Sequence, residues 1–197
     1  MHMNTWKIDS AHTDIAFSAK HMMVTTVRGK FDQAEGELEL DEIEPIASRG
    51  EIRIKATSLS TGSAQRDEHL RSADFFDVEN YPEMVARTTG IEKRGTGYLV
   101  HVEMTIKGVT RPLTLEAEFL GVVPGMRGGR HIGFHLVGQI DRDDFGLNWN
   151  MAMETGGWLV SKQVRLEIDI AADSTSLAEP LTIRDDPSIR ASSPVVV

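Results

Sequence analysis

Three histidines and two arginine–aspartate clusters are the residues of this chain whose types and spacing suit chemistry. His12 follows Ile8-Asp9-Ser10-Ala11, His21 ends an apolar-facing series, and His69 lies within Arg66-Asp67-Glu68-His69. Each is open to three readings: a buried, hydrogen-bonded residue tying a loop or helix to the fold, a contact to a ligand head group, or a metal ligand. The last needs three or four donors converging on one point. Arg66-Asp67 and Arg142-Asp143-Asp144 are either salt-bridged corners or forked donors for an anionic group, which guanidinium geometry suits. Asp144 is read as part of a solvated turn. His131 and His135 are four apart, so in a strand they share a face at roughly 13 Å, too far for one ion to bridge. They are read as surface residues, and no metal site is expected. The chain has no Gly-x-Ser-x-Gly elbow, Walker loop, strand-linked Gly-x-Gly-x-x-Gly or His-Glu-x-x-His, and no catalytic residue is expected.

The elements that must position these residues are strands. Ile15, Phe17 and Ala19 alternate with Ala16, Ser18 and Lys20, and Ile52 and Ile54 with Glu51 and Arg53. Tyr98, Val100, Val102, Met104 and Ile106 form the longest series, followed by Leu113, Leu115, Ala117 and Phe119. Ile132, Phe134, Leu136 and Ile140, then Val164, Leu166, Ile168 and Ile170, complete the pattern. One apolar and one polar face per strand marks an antiparallel sheet solvated on one side. About eight or nine such strands, with Arg94-Gly-Thr-Gly97, Lys107-Gly108 and Pro124-Gly-Met-Arg-Gly-Gly129 at the turns, predict an all-β closed barrel or sandwich. Phe17, Ala19, Leu38, Ile54, Val100, Val102, Met104, Leu115, Ala117, Phe134 and Leu136 should point inward, since a one-residue slip would turn them all to water. Small residues on that face (Ala19, Gly36, Ala56, Ala86, Ala117 and Gly138) are expected to leave space. Phe75-Phe76 should plug one end or line the cavity, and Met22 is read as adaptable lining or core filler.

A single short helix is predicted over 63–74, capped by Ser63. From Asp173 the alternation gives way to Ser, Thr, Pro and Asp, so a folded domain of 4–172 and a flexible tail of 173–197 are expected. Composition narrows the function classes. With 30 acidic against 21 basic residues the net charge is −9, the wrong sign for a nucleic-acid binder. The chain contains no cysteine, which removes disulfides and thiolate chemistry. No apolar run reaches the ~18 residues of a membrane span. The start, Met1-His-Met-Asn-Thr-Trp-Lys, lacks an apolar signal region, and a cytoplasmic location is expected.

Taken together, Trp6-Lys-Ile-Asp9-Ser-Ala-His12, Val27-Arg-Gly29-Lys-Phe31, Arg66-Asp67-Glu-His69-Leu70 through Asp74-Phe75-Phe76-Asp77, Met104-Thr-Ile106-Lys107-Gly108 and Ile140-Asp-Arg142-Asp-Asp-Phe145-Gly146 resemble the YceI-like family of lipocalin-like polyisoprenoid-binding proteins. The match runs through residues 5–172. It departs from the family in carrying Ser10 where proline is frequent and Thr13 where serine is, in lacking an export signal, and in its tail.

The resemblance implies an elongated barrel of about eight strands around an apolar tunnel, a homodimer, and a role in isoprenoid transport or storage. The ligand it implies is a long isoprenoid lipid of the polyprenyl phosphate or isoprenoid quinone type, with no cofactor. Many members are periplasmic. A tunnel of that kind needs a polar mouth, and His12, His21, Arg66, Asp67, His69 and Arg142 are expected to form it as one cluster. An enzyme acting through that cluster and a ligand-free, stress-related barrel are the alternatives.

Overall fold

The computed structural model describes residues 3–125, 128–152 and 159–174. Among the described residues, eleven antiparallel strands and one α-helix make up the fold: β1 (Met3–Ile8), β2 (Asp14–His21), β3 (Thr25–Phe31), β4 (Ala34–Asp41), β5 (Arg49–Lys55), β6 (Leu59–Ser60), α1 (Ala64–Arg71), β7 (Glu83–Arg94), β8 (Gly97–Ile106), β9 (Val109–Pro124), β10 (Arg130–Asp141) and β11 (Val160–Ser174).

Eight of these close into a ring in the order β1-β4-β5-β7-β8-β9-β10-β11, with β11 returning to β1. β11 is the seam. It pairs with β10 along its length, with β2 through Val160–Asp169, and with β1 at Ala172 and Asp173. β2, β3 and β6 therefore extend the sheet beyond the ring. The eight-strand expectation holds for the ring.

The turns follow from local chemistry. Between β8 and β9, Lys107 and Gly108 both have positive φ, 49° and 74°, the two-residue geometry whose twist matches that of the flanking strands. The β2–β3 turn places Met22 and Met23 at φ 52° and 61°, a conformation that disfavours ordinary side chains. That turn also leaves Met22 half exposed, so the expectation that it lines the interior is corrected.

The helix is shorter than expected, and Ser63 stands at its N-cap without a side-chain capping bond. Its buried side chain is Asp67, while Leu70 packs on the core. α1 covers one end of the barrel. Lys107 donates to the Ala73 carbonyl (2.7 Å) from the β8–β9 turn, and the His69 ring stands edge-on to Trp149 at 4.5 Å. The other end is filled by Trp6, Leu38, Ile132 and Ala172, with the Arg130 guanidinium 4.9 Å above the Trp6 ring. Residues 175–197, most of the expected tail, lie outside the described residues; β11 carries the folded part on to Ser174.

Candidate functional site

Between these two ends runs an apolar cavity of about 260 Å³. Strand parity builds its wall. β2 contributes Ile15, Phe17 and Ala19; β8 contributes Val100, Val102, Met104 and Ile106; β9 contributes Leu113, Leu115 and Ala117; β10 contributes Phe134, Leu136 and Ile140. Leu38 and Ile54 complete the inward set read from alternation, and Phe75 and Phe76 line the helix end together with Leu70. Phe76 meets Phe31 edge-on at 5.6 Å, and Phe75 meets Trp149 at 5.5 Å. Ala19, Ala86 and Ala117 face open space on this wall.

The small-residue expectation fails at three positions. A Cβ on Gly36 would lie 2.1 Å from the Glu51 carbonyl oxygen, and one on Gly138 would lie 2.4 Å from the Leu115 side chain. Both glycines permit close approach and leave no space. Ala56 sits in a 3-10 turn, almost wholly buried and off the cavity wall.

Two bulges reset parity in ways that simple alternation misses. In β7 the register shifts between Thr88 and Gly90, so Met84, Ala86 and Thr88 face inward but so does Ile91, because the extra residue flips the following face. In the β9–β10 pair the register shifts at Gly133/Phe134. Phe119 there is half exposed although it stays 5.7 Å from Phe134.

The expected single polar mouth does not assemble. His12 and His21 flank opposite ends of β2, separated by roughly 20 Å or more at ~3.3 Å per residue. His12 hydrogen-bonds Asp9 (2.6 Å) and lies edge-on to His131 at 6.1 Å, on the Trp6 side. Partial burial raises the Asp9 pKa. The His12 hydrogen bond, the Ala11 N–H and the nearby imidazole charges outweigh it and hold the carboxyl below its ordinary range. His21 ends β2, where its carbonyl accepts from the Thr25 hydroxyl.

On the helix, Asp67 accepts from the Thr61 N–H (2.9 Å) and hydroxyl, so these bonds go to a threonine, where a salt-bridged corner with Arg66 was one reading. Arg66 also turns to Thr61, donating to its hydroxyl (2.7 Å) and carbonyl (2.9 Å). His69 pairs with Asp74 at 3.2 Å.

Of the six polar residues, only Arg142 stands on the cavity wall. It is buried, and its guanidinium donates to the carbonyls of Ser161 (3.1 Å), Leu147 and Trp149 (3.0 Å). Burial pulls its pKa down, and Asp143 and Asp141 work against that shift. Arg142 thus fastens the 147–149 segment over the helix end.

Ser48 and Arg49, on the wall toward the Trp6 end, are polar residues the sequence reading missed. Ser48 shares its parity with Gly50, Ile52 and Ile54, so extending the β5 alternation backward by one step finds it. The Ser48 hydroxyl oxygen accepts from the Asp41 N–H at 2.9 Å.

Residues 6–172 match the family model described as YceI-like domain. A UPF0312 protein of Staphylococcus epidermidis is 36% identical over 166 residues, spanning 84% of this chain and 95% of that one. The crystal structure of a YCEI protein of Campylobacter jejuni is 30% identical and superposes with a TM-score of 0.68, covering 78% of this chain and 88% of that one. A domain of Saccharophagus degradans, described as polyisoprenoid binding and implicated in plant cell wall breakdown, shares the fold at 15% identity and a TM-score of 0.56, covering 86% and 98% of the two chains. With a family model spanning nearly the whole ring and relatives of this identity and coverage, the chain belongs to the YceI-like domain family.

Proposed function

We propose that this chain is a binding and carrier protein whose barrel holds one long isoprenoid lipid, of the polyprenyl phosphate or isoprenoid quinone type, and performs no chemistry on it. The carrying observation is the cavity wall. Among its described lining residues only Ser48, Arg49, Thr88 and Arg142 have polar side chains, and no histidine, carboxylate or lysine lines it. Such a wall supports enclosure of an apolar chain over acid–base catalysis, which needs a titratable group within reach of the reacting atoms. Burial yields about 0.8 kcal/mol per CH₂-sized group, so a tail of about 15 such groups offsets much of the roughly 4–15 kcal/mol lost to ordering on association. Selectivity would then fall to the few polar groups on the wall. Membership of the family and the polyisoprenoid-binding domain with the same fold support the ligand class.

Organic-solvent extraction of the purified chain followed by mass spectrometry tests the reading. Ions spaced by one isoprene unit are expected, while an empty extract or straight-chain lipids alone would overturn the ligand class. Ala117→Phe places bulk in the cavity and should abolish recovery of the lipid with the far-UV spectrum unchanged. A loss of about 1–3 kcal/mol in stability instead, with lipid still recovered, would mean that the position is packed solid.

A further inference from the structure

Outside the cavity, on the solvent face of the barrel seam, three side chains with metal-ligand chemistry converge, with His12 hydrogen-bonded to one of them. We propose that Asp9, His12, His131 and Asp173 form a binding site for one divalent cation of the zinc class. The ligand atoms of Asp9, His131 and Asp173 all lie within 4.8 Å of one another. Donors around a tetrahedral zinc ion are about 3.4 Å apart at zinc–ligand distances of ~2.0–2.2 Å, so adjustments of about 1 Å would close the site. His12 lies just outside this three-residue group and would swing in as the fourth ligand. Its Nδ1 lies 2.6 Å from Asp9 Oδ2, and its ring stands edge-on to His131.

Two imidazoles and two carboxylates form a borderline donor set that favours zinc over calcium or magnesium. The four come from three separate places in the chain: the β1–β2 corner, the start of β10 and the end of β11. In the metal-free arrangement His131 Nδ1 is 2.7 Å from Asp173 Oδ1, so each imidazole already faces a carboxylate that the ion would share.

The strands supply an internal control. His135 and Asp169 face each other across β10 and β11 in the same way, also at 2.7 Å. Among the described residues no third ligating side chain joins that pair to make a metal-sized group. If His131–Asp173 were only a cross-strand ion pair, the two pairs would behave alike.

The site also sits where an ion would have mechanical effect. Lys7 pairs with Asp173, and the Asp9 N–H donates to the Ala171 carbonyl at 2.9 Å, so these contacts join the β1–β2 corner to the last strand. A bound cation would staple that closure.

The test is calorimetric titration of the chelator-dialysed full chain with zinc chloride, beside cobalt(II) absorption spectra. One equivalent of zinc is expected, with intense tetrahedral cobalt bands and a melting temperature that rises with zinc. His131→Gln and Asp173→Asn should each weaken zinc by more than about tenfold and remove the cobalt bands, while His135→Gln leaves both unchanged. Asp173 is exposed, so its near-isosteric variant should fold, and circular dichroism would verify this. No saturable one-to-one binding, or equal affinity in wild type and His131→Gln, would overturn the site. So would equal losses in His131→Gln and His135→Gln.

Discussion

Both ends of the barrel pair an aromatic plug with a sheltered arginine, yet the two arginines are satisfied differently. At the helix end Arg142 spends its donors on the carbonyls of Ser161, Leu147 and Trp149, and Arg71 does likewise with Thr57 and Leu59. At the Trp6 end Arg130 grips both oxygens of Glu42 while lying over the indole of Trp6. Carbonyls do not titrate, whereas a carboxylate does and is also screened by salt. The arginine bonds at the helix end therefore ignore pH. The Trp6 end is held in part by a bond that acid removes.

The largest effect expected is at the plug of the Trp6 end. Trp6→Ala should cost about 3–5 kcal/mol in urea unfolding, because a fully buried indole leaves a cavity behind. Among the described residues the Trp6 Nε1 has no hydrogen-bond partner, so Trp6→Phe should cost less than about 1.5 kcal/mol. A larger penalty would show that the indole N–H matters after all. Next comes Arg142→Met at the opposite end. It strands three carbonyls, each worth about 1–3 kcal/mol when left unpaired, and should lower stability by about 3 kcal/mol, mostly independent of salt, with only the 3.8 Å contact to Asp143 adding a small salt-sensitive part. A loss that mostly disappears at high salt would count against carbonyl bonding as the cause.

Glu42→Gln is expected to cost about 1 kcal/mol. The Arg130 hydrogen bond, ahead of the opposing effect of burial, holds Glu42 below its ordinary carboxylate range. A depressed folded-state pKa contributes stability that is full above the ordinary range and is lost as pH falls through the folded value. Wild type and Glu42→Gln should therefore differ at neutral pH and converge in acid, which melts across a pH series would reveal. A constant gap would break the contrast between the ends. The smallest effect should come from Arg66→Ala. Because Arg66 bonds only Thr61 among its described hydrogen bonds, binding of charged-head and neutral lipids should change equally and by little in a competition assay.

The inward face of this barrel was legible because strand parity is rigid: one correct residue, such as Val102, assigns its neighbours two apart. Parity failed where the backbone left the regular strand. Met22 stands in a three-residue turn at positive φ, and Ile91 follows a bulge, and neither event has a marker in the alternation. The polar cluster failed for a different reason. Density of charge along the chain says nothing of which end of a strand a residue occupies. The length of β2 alone, though, already forbade contact between His12 and His21. Arg66 and Asp67 were expected to serve each other or a ligand. Thr61, six residues or fewer away, met both instead, a local preference that hydroxyl and backbone donors commonly win.

The seam strand also sets the order in which the molecule can form. β11 is the last of the described strands, yet it completes β10, β2 and β1, and the Thr13 hydroxyl that meets Ala171 is 158 residues away in sequence. Until that strand arrives, three strand edges stay unpaired and the apolar interior is an open trough. Loop closure over such separations makes folding slow relative to local structures. If the barrel carries a long apolar chain as proposed, loading need not run through a mouth in the finished wall: a seam that closes last can close around a chain already lying in the trough.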